Sequence, residues 1–549
     1  MWTLWHDREV VVTPTAATII QTCERCAKHT LLQPATIRAG DRLGVTLEPG
    51  SQSEPTGTIR FSGGVTLRAH SESATVVDPV EITGRAGALI IKVTLPVERY
   101  VEQVVASESG PADSLESLKA LAIVVRSYAL HEAHGHSDYD LCDSTHCQLL
   151  HWHDNRRSPA AHRATLETSG ETLWFRGRRA LAYFAKDCGG RTASASEVWP
   201  RLQPAPYLPS RPDPYCSRNS AAWATELTRS ELAAALTKYG LAAPGWQHLS
   251  VDRRGDSGRV LALRVNERVI GAEDFRIAVG ESLGWSKIPS TWFEVSPQGD
   301  RFLFHGRGTG HGVGLCQQGA SVMASQGHSA PEILAQFFPG ADVADEAKGR
   351  TWQVFSRAGF TLETLNVEGA AFLPEIARAR AEASQRSGLN GAASFTVRAF
   401  ASTQAFRDAT LAPGWTAAFT EGDWIASQPL ATLASRRLLV PTIRHEFIHA
   451  LVEQEAGQHA PLWLREGLAE LWSSDPDAQT ALHRRAPTTS IDAIDAVMMH
   501  AATEGQSSTA HRDAGIYAAR LLDGYGRAQV LDWLRSGVPA GALAGIGQR

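Results

Sequence analysis

No run of eighteen apolar residues occurs anywhere in the 549-residue chain, so no helical membrane span is expected. Seven cysteines are too few for a disulfide scaffold. Cys23 and Cys26 form a single C-x-x-C pair, a weak metal or redox signal without a second pair beside it. No block of Lys or Arg stands out, and a formal net charge of -5 gives no general pull toward nucleic acid. The opening residues, MWTLWHDREVVV, carry charge where a secretory signal would be apolar, so they predict no export. What is present is ordinary for a globular protein, with hydrophobic content of 43% and charged content of 20%. The length fits roughly two to four domains.

The most informative stretch runs from Val101 to Trp152. Val101, Val104 and Val105 at helical spacing predict one helix, stopped at the Gly110-Pro111 break. A second follows Asp113 or Ser114, with Leu115, Leu118, Ala122, Val125 and Ala129 on its core face. Glu108 falls in the turn between them. Apolar packing there would raise its pKa and keep it as a proton donor, although a solvated cap is the plainer reading. Beyond the second helix, His134, His136, Cys142, His146 and Cys147 lie within fourteen positions, a ligand density that points to zinc or, in an oxidising compartment, to a cysteine pair.

Short alternating runs between about Pro34 and Val97 predict a small β-domain. Strands are again expected over Thr172–Phe184 and Val251–Ala278, and helices around Ser230–Tyr239 and from Gln317. Glycines at 306, 308, 310, 312 and 314 alternate strictly, which is neither the dinucleotide fingerprint nor a P-loop. Such a strand lets something approach its backbone closely, with His311 held among the glycines.

Motifs with the following residues occur in one order: VERYVEQVVASE, LKALAIVVRSYAL, Asp143–Gln148 (D-x-x-HCQ), CGGRTASASEVW, PYL…DPYC and GHGVGLCQQGA…MA. The set resembles the SpoIID/LytB family of stage II sporulation protein D and amidase enhancers, over roughly residues 97–343. That resemblance implies a domain binding peptidoglycan glycan strands, cleaved in sporulation members by lytic transglycosylase chemistry. It places the catalytic glutamate on Glu108 and a zinc-associated cluster on the 134–147 region, where His136, Cys142 and Cys147 are expected to bind zinc with His146 either a ligand or facing substrate. The chain departs from the family pattern at Asp187-Cys188-Gly189-Gly190, at Leu315-Cys316-Gln317 and at Ser109-Gly110-Pro111. Arg126, on the helix after Glu108, would orient or stabilise charge, or else be a surface arginine. His311 and Gln317 offer hydrogen bonds to a glycan.

Farther on, a helix over Pro374–Arg386 and a strand over Ser394–Ala399 precede HEFIHALVEQEAGQHAPLWLREGLAELW. H-E-x-x-H on a helix puts His445 and His449 on one face, able to share one zinc, with Glu446 placed to take a proton from bound water. The following W-L-x-E-G-x-A resembles gluzincin metallopeptidases of the peptidase MA-like type. By that match Glu466 is the third ligand and Glu470 lies behind it or at the surface.

The expected fold class is therefore α+β and multidomain. A β-rich region spans 1–96, a SpoIID/LytB-like domain 97–345, a linker 346–369 and a mainly helical zincin-like domain 370–549. The expected function is cell-wall action: Glu108 as general acid on glycan strands, assisted by Arg126 and His311, and a zinc peptidase using Glu446. The alternative from another class is a non-catalytic glycan-binding module that targets an active zinc metallopeptidase or assists a cell-wall amidase. Zinc is the expected cofactor. Peptidoglycan glycan, and a peptide or protein substrate, are the expected partners. Such substrates imply an extracytoplasmic location, and an upstream start or a trimmed precursor would reconcile that with the opening residues.

Overall fold

The computed structural model describes residues 8–549 except 16–17, 24, 41–44, 49–56, 70–71, 86, 111–112, 132–135, 137, 152–157, 219, 346–350, 366, 392–393, 458, 502 and 548–549. His134 and Pro111 lie outside the described residues. The chain divides into two compact units, 1–349 and 350–549.

The first unit opens with ten strands between Glu9 and Val93. They form two antiparallel five-stranded sheets, one centred on Glu9–Pro14 and the other on Thr58–Ser62. Alternation along strands such as Val80–Arg85 turns Val80 and Ile82 inward, toward Val10, Ile37, Phe61 and Leu67. The β-region thus begins well before Pro34, and Cys23 and Cys26 are disulfide-bonded within it.

Three helices follow: α1 (Val97–Glu108), α2 (Leu115–Ala129) and α3 (Pro159–Glu167). Small and β-branched residues make the core face of α2, where Leu118, Ala122 and Val125 are buried. Beside them, the strand Phe184–Ala185 pairs in parallel with Leu315–Cys316, which leads into helix α4 (Gln317–Ser325). Between these partners the chain makes a subdomain with its own aromatic core of Phe275, Phe293, Phe302 and Phe304. Two three-stranded sheets build it: Ala222–Thr228, Arg301–Arg307 and Phe293–Gln298, then Leu249–Arg254, Val260–Val265 and Arg268–Gly271.

The second unit corrects the expected linker. Within 346–369, Gln353–Arg357 and Phe360–Thr364 pair with each other, and the latter lies parallel to Phe395–Ala399. Trp424–Ser427 and Ala418–Glu421 complete a five-stranded mixed sheet. Phe360, Leu362, Phe395 and Val397 are buried in that sheet, which is why a polar-looking stretch is structural. Against it pack α5 (Leu373–Ser387), α6 (Leu439–Glu455) and α7 (Leu462–Ser473). A long helix over Glu504–Ser536, broken at Gly526 (φ 76), covers α7.

Candidate functional site

Glu108 is the last residue of α1 rather than part of a free turn, with Ser109 as its C-cap. It lines a cavity of about 250 Å³ together with Tyr128, Cys147, Tyr183, Lys186, Thr309 and His311. Burial raises its pKa above the ordinary 4.5, against opposing pulls from the Lys186 ammonium and a Gln317 side-chain hydrogen bond. The negative end of the α1 dipole acts in the same direction as burial. Lys186 Nζ donates to the Glu108 carbonyl at 3.2 Å. Gln317 Oε1 is buried and has no partner among the described residues, an acceptor left beside the carboxyl. Lys186 and Tyr183 were not singled out from sequence; they flank the Cys188-Gly-Gly motif, which carried the only available signal.

The cavity wall does contain the glycine-rich segment, but its glycines serve the protein's own packing. Gly308, Gly310, Gly312 and Gly314 all have positive φ, between 74° and 89°. A Cβ on Gly308 would meet the Asp187 carbonyl at 2.8 Å, and one on Gly314 would collide with the Tyr183 carbonyl. The expected close approach is therefore made by the Tyr183–Gly189 segment. His311 packs on Trp199 with ring centroids 4.9 Å apart. Its Nδ1 accepts from Val313 N–H at 3.1 Å, and it is also hydrogen-bonded to the Phe184 backbone. Burial lowers its pKa to about 4. Bonded to backbone on two sides, the ring is held in the wall of the cavity that Glu108 lines.

The expectation for Arg126 is corrected. It is fully buried and does not line the cavity. Its Nε and Nη2 bind the Glu98 carboxylate at 2.9 and 2.5 Å, and Nη1 donates to the Glu171 carbonyl at 3.0 Å. It ties α1 to α2 and to the strand after α3, being neither a surface group nor a charge offered to substrate.

His136, Cys142, His146 and Cys147 converge, their ligand atoms within 4.8 Å of one another. His136 Nε2 lies 3.2 Å from Cys147 Sγ, and His146 Nδ1 lies 3.8 and 3.7 Å from the two sulfurs. Both thiols are free. Their mutual hydrogen bond lowers the Cys142 pKa and raises that of Cys147. Two thiols and two imidazoles facing one point are the donor set of a tetrahedral zinc site. Cys147 also lines the Glu108 cavity.

In the second unit, α6 and α7 bring His445, His449 and Glu466 together within the same 4.8 Å limit. The facing Nε2 atoms of His445 and His449 are 2.9 Å apart, and His449 Nε2 is 3.3 Å from Glu466 Oε2. Two imidazole nitrogens aimed at each other beside a carboxylate suit a shared cation. Burial, then His449, lowers the His445 pKa to about 3. Burial alone would raise Glu466, but His449 and His511 outweigh it and hold it at about 2. His445 Nδ1 meets Ser473 Oγ at 2.9 Å, the kind of outer hydrogen bond that fixes a ligand's tautomer. Glu446 Oε2 accepts from Thr420 Oγ1 at 2.6 Å, and burial raises its pKa. His511, 3.3 Å from Glu466 Oε2, was missed from sequence because it lies far along the chain outside any motif. Glu470 is half-buried one turn after Glu466 and outside the converging set.

Comparison with known proteins bears on the first unit. Residues 85–175, which carry α1, Glu108 and the His/Cys cluster, match the family model described as stage II sporulation protein (SpoIID). Residues 217–314 match a model described as a domain of unknown function (DUF8618), and they contain the subdomain with the aromatic core. The chain is 28% identical over 260 residues to an uncharacterized protein of Brachyspira hyodysenteriae, covering 47% of this chain and 69% of that one. It is 26% identical over 269 residues to stage II sporulation protein D of Bacillus subtilis, covering 46% and 75%. To the amidase enhancer of the same organism it is 24% identical over 286 residues, covering 43% of this chain and 39% of that protein. These findings support the SpoIID/LytB resemblance for the first unit, while the His445 cluster stands on its own geometry.

Proposed function

We propose that the first unit cleaves peptidoglycan glycan strands with Glu108 as the general acid, and that the second hydrolyses peptide bonds. The observation that carries the first reading is a half-buried, pKa-raised carboxyl in a cavity, with a cation and an unpartnered amide oxygen beside it. The likeness to stage II sporulation protein D and to an amidase enhancer supports a cell-wall-related function. Glu108 gives its proton to the leaving glycosidic oxygen as the C1–O bond breaks. The 6-hydroxyl of the same muramyl sugar attacks C1, and its proton returns to Glu108. One carboxyl suffices because the sugar brings its own nucleophile, unlike paired-carboxylate hydrolases. Gln317 Oε1 accepts from a sugar hydroxyl, and Lys186 limits how far burial raises the acid. His136, Cys142, His146 and Cys147 would hold zinc that shapes the cavity rim.

In the second unit His445, His449 and Glu466 would hold zinc, which when bound supplies Lewis-acid polarisation and an activated water. Glu446 takes the proton from the attacking water, oriented by the Thr420 hydroxyl. Incubating purified glycan strands with the full chain tests the first reading: anhydro-ended products are expected, and their formation should fall by about two to four orders of magnitude with Glu108→Gln. Glycan binding without products from the wild type would replace this reading with the amidase-enhancing module.

A further inference from the structure

We infer that Cys188, Cys216, Cys316 and Asp213 form a separate zinc(II) site inside the first unit. Their three sulfurs and one carboxylate oxygen lie within 4.8 Å of one another. All four residues are buried, none more than 1% exposed. They come from three places: the segment after Phe184–Ala185, the short helix Pro214–Ser217 with its N-cap Asp213, and the start of α4. Zinc–sulfur bonds of about 2.3 Å in a tetrahedron set sulfurs roughly 3.8 Å apart, a spacing this cluster accommodates.

Around Cys316 the surroundings suit a thiolate, while Cys188 and Cys216 each face a carboxylate oxygen, of Asp213 and Asp187. Cys316 Sγ accepts from the backbone N–H of Cys188 at 3.2 Å and of Gly319 at 3.4 Å. Asp213 Oδ1 is fixed by Tyr215 N–H at 3.1 Å and Cys216 N–H at 3.0 Å, which turns Oδ2 to within 3.3 Å of Cys188 Sγ. A Cβ on Gly319 would strike the Asp213 carboxylate, so that position reserves space for it.

Charge gives an independent argument. Arg259 is fully buried, its Nε is unpartnered, and it makes no ion pair among the described residues. Nearby Glu273 is bound to Arg276 at 2.7 Å. Arg259 instead donates to the Cys188 carbonyl at 3.0 Å and the Gly310 carbonyl at 3.1 Å, beside the cluster. Glu273 acts on Arg259 without pairing with it, its Oε1 being held by Arg276, and a buried cation without an anion of its own is costly. Three thiolates, one carboxylate and a divalent ion sum to a charge of about −2, which supplies that anion. A disulfide would use two of the three cysteines and leave Arg259 uncompensated; all three are free.

Binding releases the three thiol protons to solvent and forms three Zn–S bonds and one Zn–O bond. The site then locks two strand ends against each other. Cys188 lies two residues after Lys186, and Cys316 immediately precedes Gln317, so the groups flanking Glu108 are held from behind. This inference does not depend on glycan cleavage.

Differential alkylation of the native full chain, with and without a zinc chelator and mapped by peptide, tests it. Cys188, Cys216 and Cys316 should react roughly tenfold faster once zinc is removed. Equal rates with and without chelator, or a disulfide between two of the three, would overturn the assignment. A second arm uses the full chain carrying Cys142→Ser, Cys147→Ser, His445→Ala and His449→Ala. It should retain about one zinc per chain by elemental analysis, lost when Cys216→Ser is added. A background variant folded by circular dichroism but free of zinc overturns the site equally.

Discussion

At Glu108 the fold changes how tightly one proton is held. Burial raises its pKa above 4.5, so the folded chain holds this proton more tightly than the unfolded one. The stability it contributes is therefore complete below about pH 4.5 and is lost as pH rises through the folded value. Glu108→Gln removes that loss, so its melting temperature relative to wild type should increase as pH rises from 4.5. Scanning calorimetry across that range checks the sign, and a difference that shrinks with pH would contradict a raised pKa. The same substitution keeps shape but not the acidic proton, and cleavage should fall by about two to four orders of magnitude with glycan binding retained. At His449 the outcome is read as metal: His449→Ala should remove about one zinc per chain. Unchanged zinc content would exclude His449 as a ligand.

Elements explain why some residues were legible and others misleading. The α1 and α2 periodicities were readable because Val101, Val104, Leu118, Ala122 and Val125 are all buried on one side. The His445/His449 pairing was readable because four residues on a helix is a fixed spatial relation. Arg126 was not, since a sequence does not show that Glu98 and the Glu171 carbonyl close around it. The polar stretch at 353–364 was not, because alternation over two five-residue strands is too short to separate from a linker. The cluster around Cys216 was not, since its members are brought together by the pairing of Phe184–Ala185 with Leu315–Cys316 and by the packing of Pro214–Ser217 against α4. Two consequences belong here. Arg126→Met strands the buried Glu98 carboxylate and should cost about 3–5 kcal/mol by chemical denaturation. Gly314→Ala combines a positive φ with a collision against the Tyr183 carbonyl, so it should cost more than about 2 kcal/mol. A neutral result for Gly314→Ala would mean the Tyr183–Gly189 segment does not rest on that glycine.

The side-chain clusters proposed as sites lie in two units whose cores are built separately. Residues 350–549 have a core running from Phe360 to Ile546, assembled around the mixed sheet, α5, α6 and α7. Residues 1–349 have three: the β-sandwich core, the α1–α2 core beneath Glu108 and the aromatic core around Phe275. A domain with its own core unfolds as its own cooperative step, so the full chain is not expected to melt in one transition. Zinc bound to a folded site stabilises only the unit that holds it. His449→Ala should therefore lower one calorimetric transition and leave that of the first unit in place, while Gly314→Ala should do the reverse. In the double variant the two shifts should add to within about 0.5 kcal/mol, as for sites without shared partners. A single transition displaced by both substitutions would show that the units fold as one body. In that case loss of metal at His449 would also be felt at Glu108, and the two proposed activities would have to be measured together.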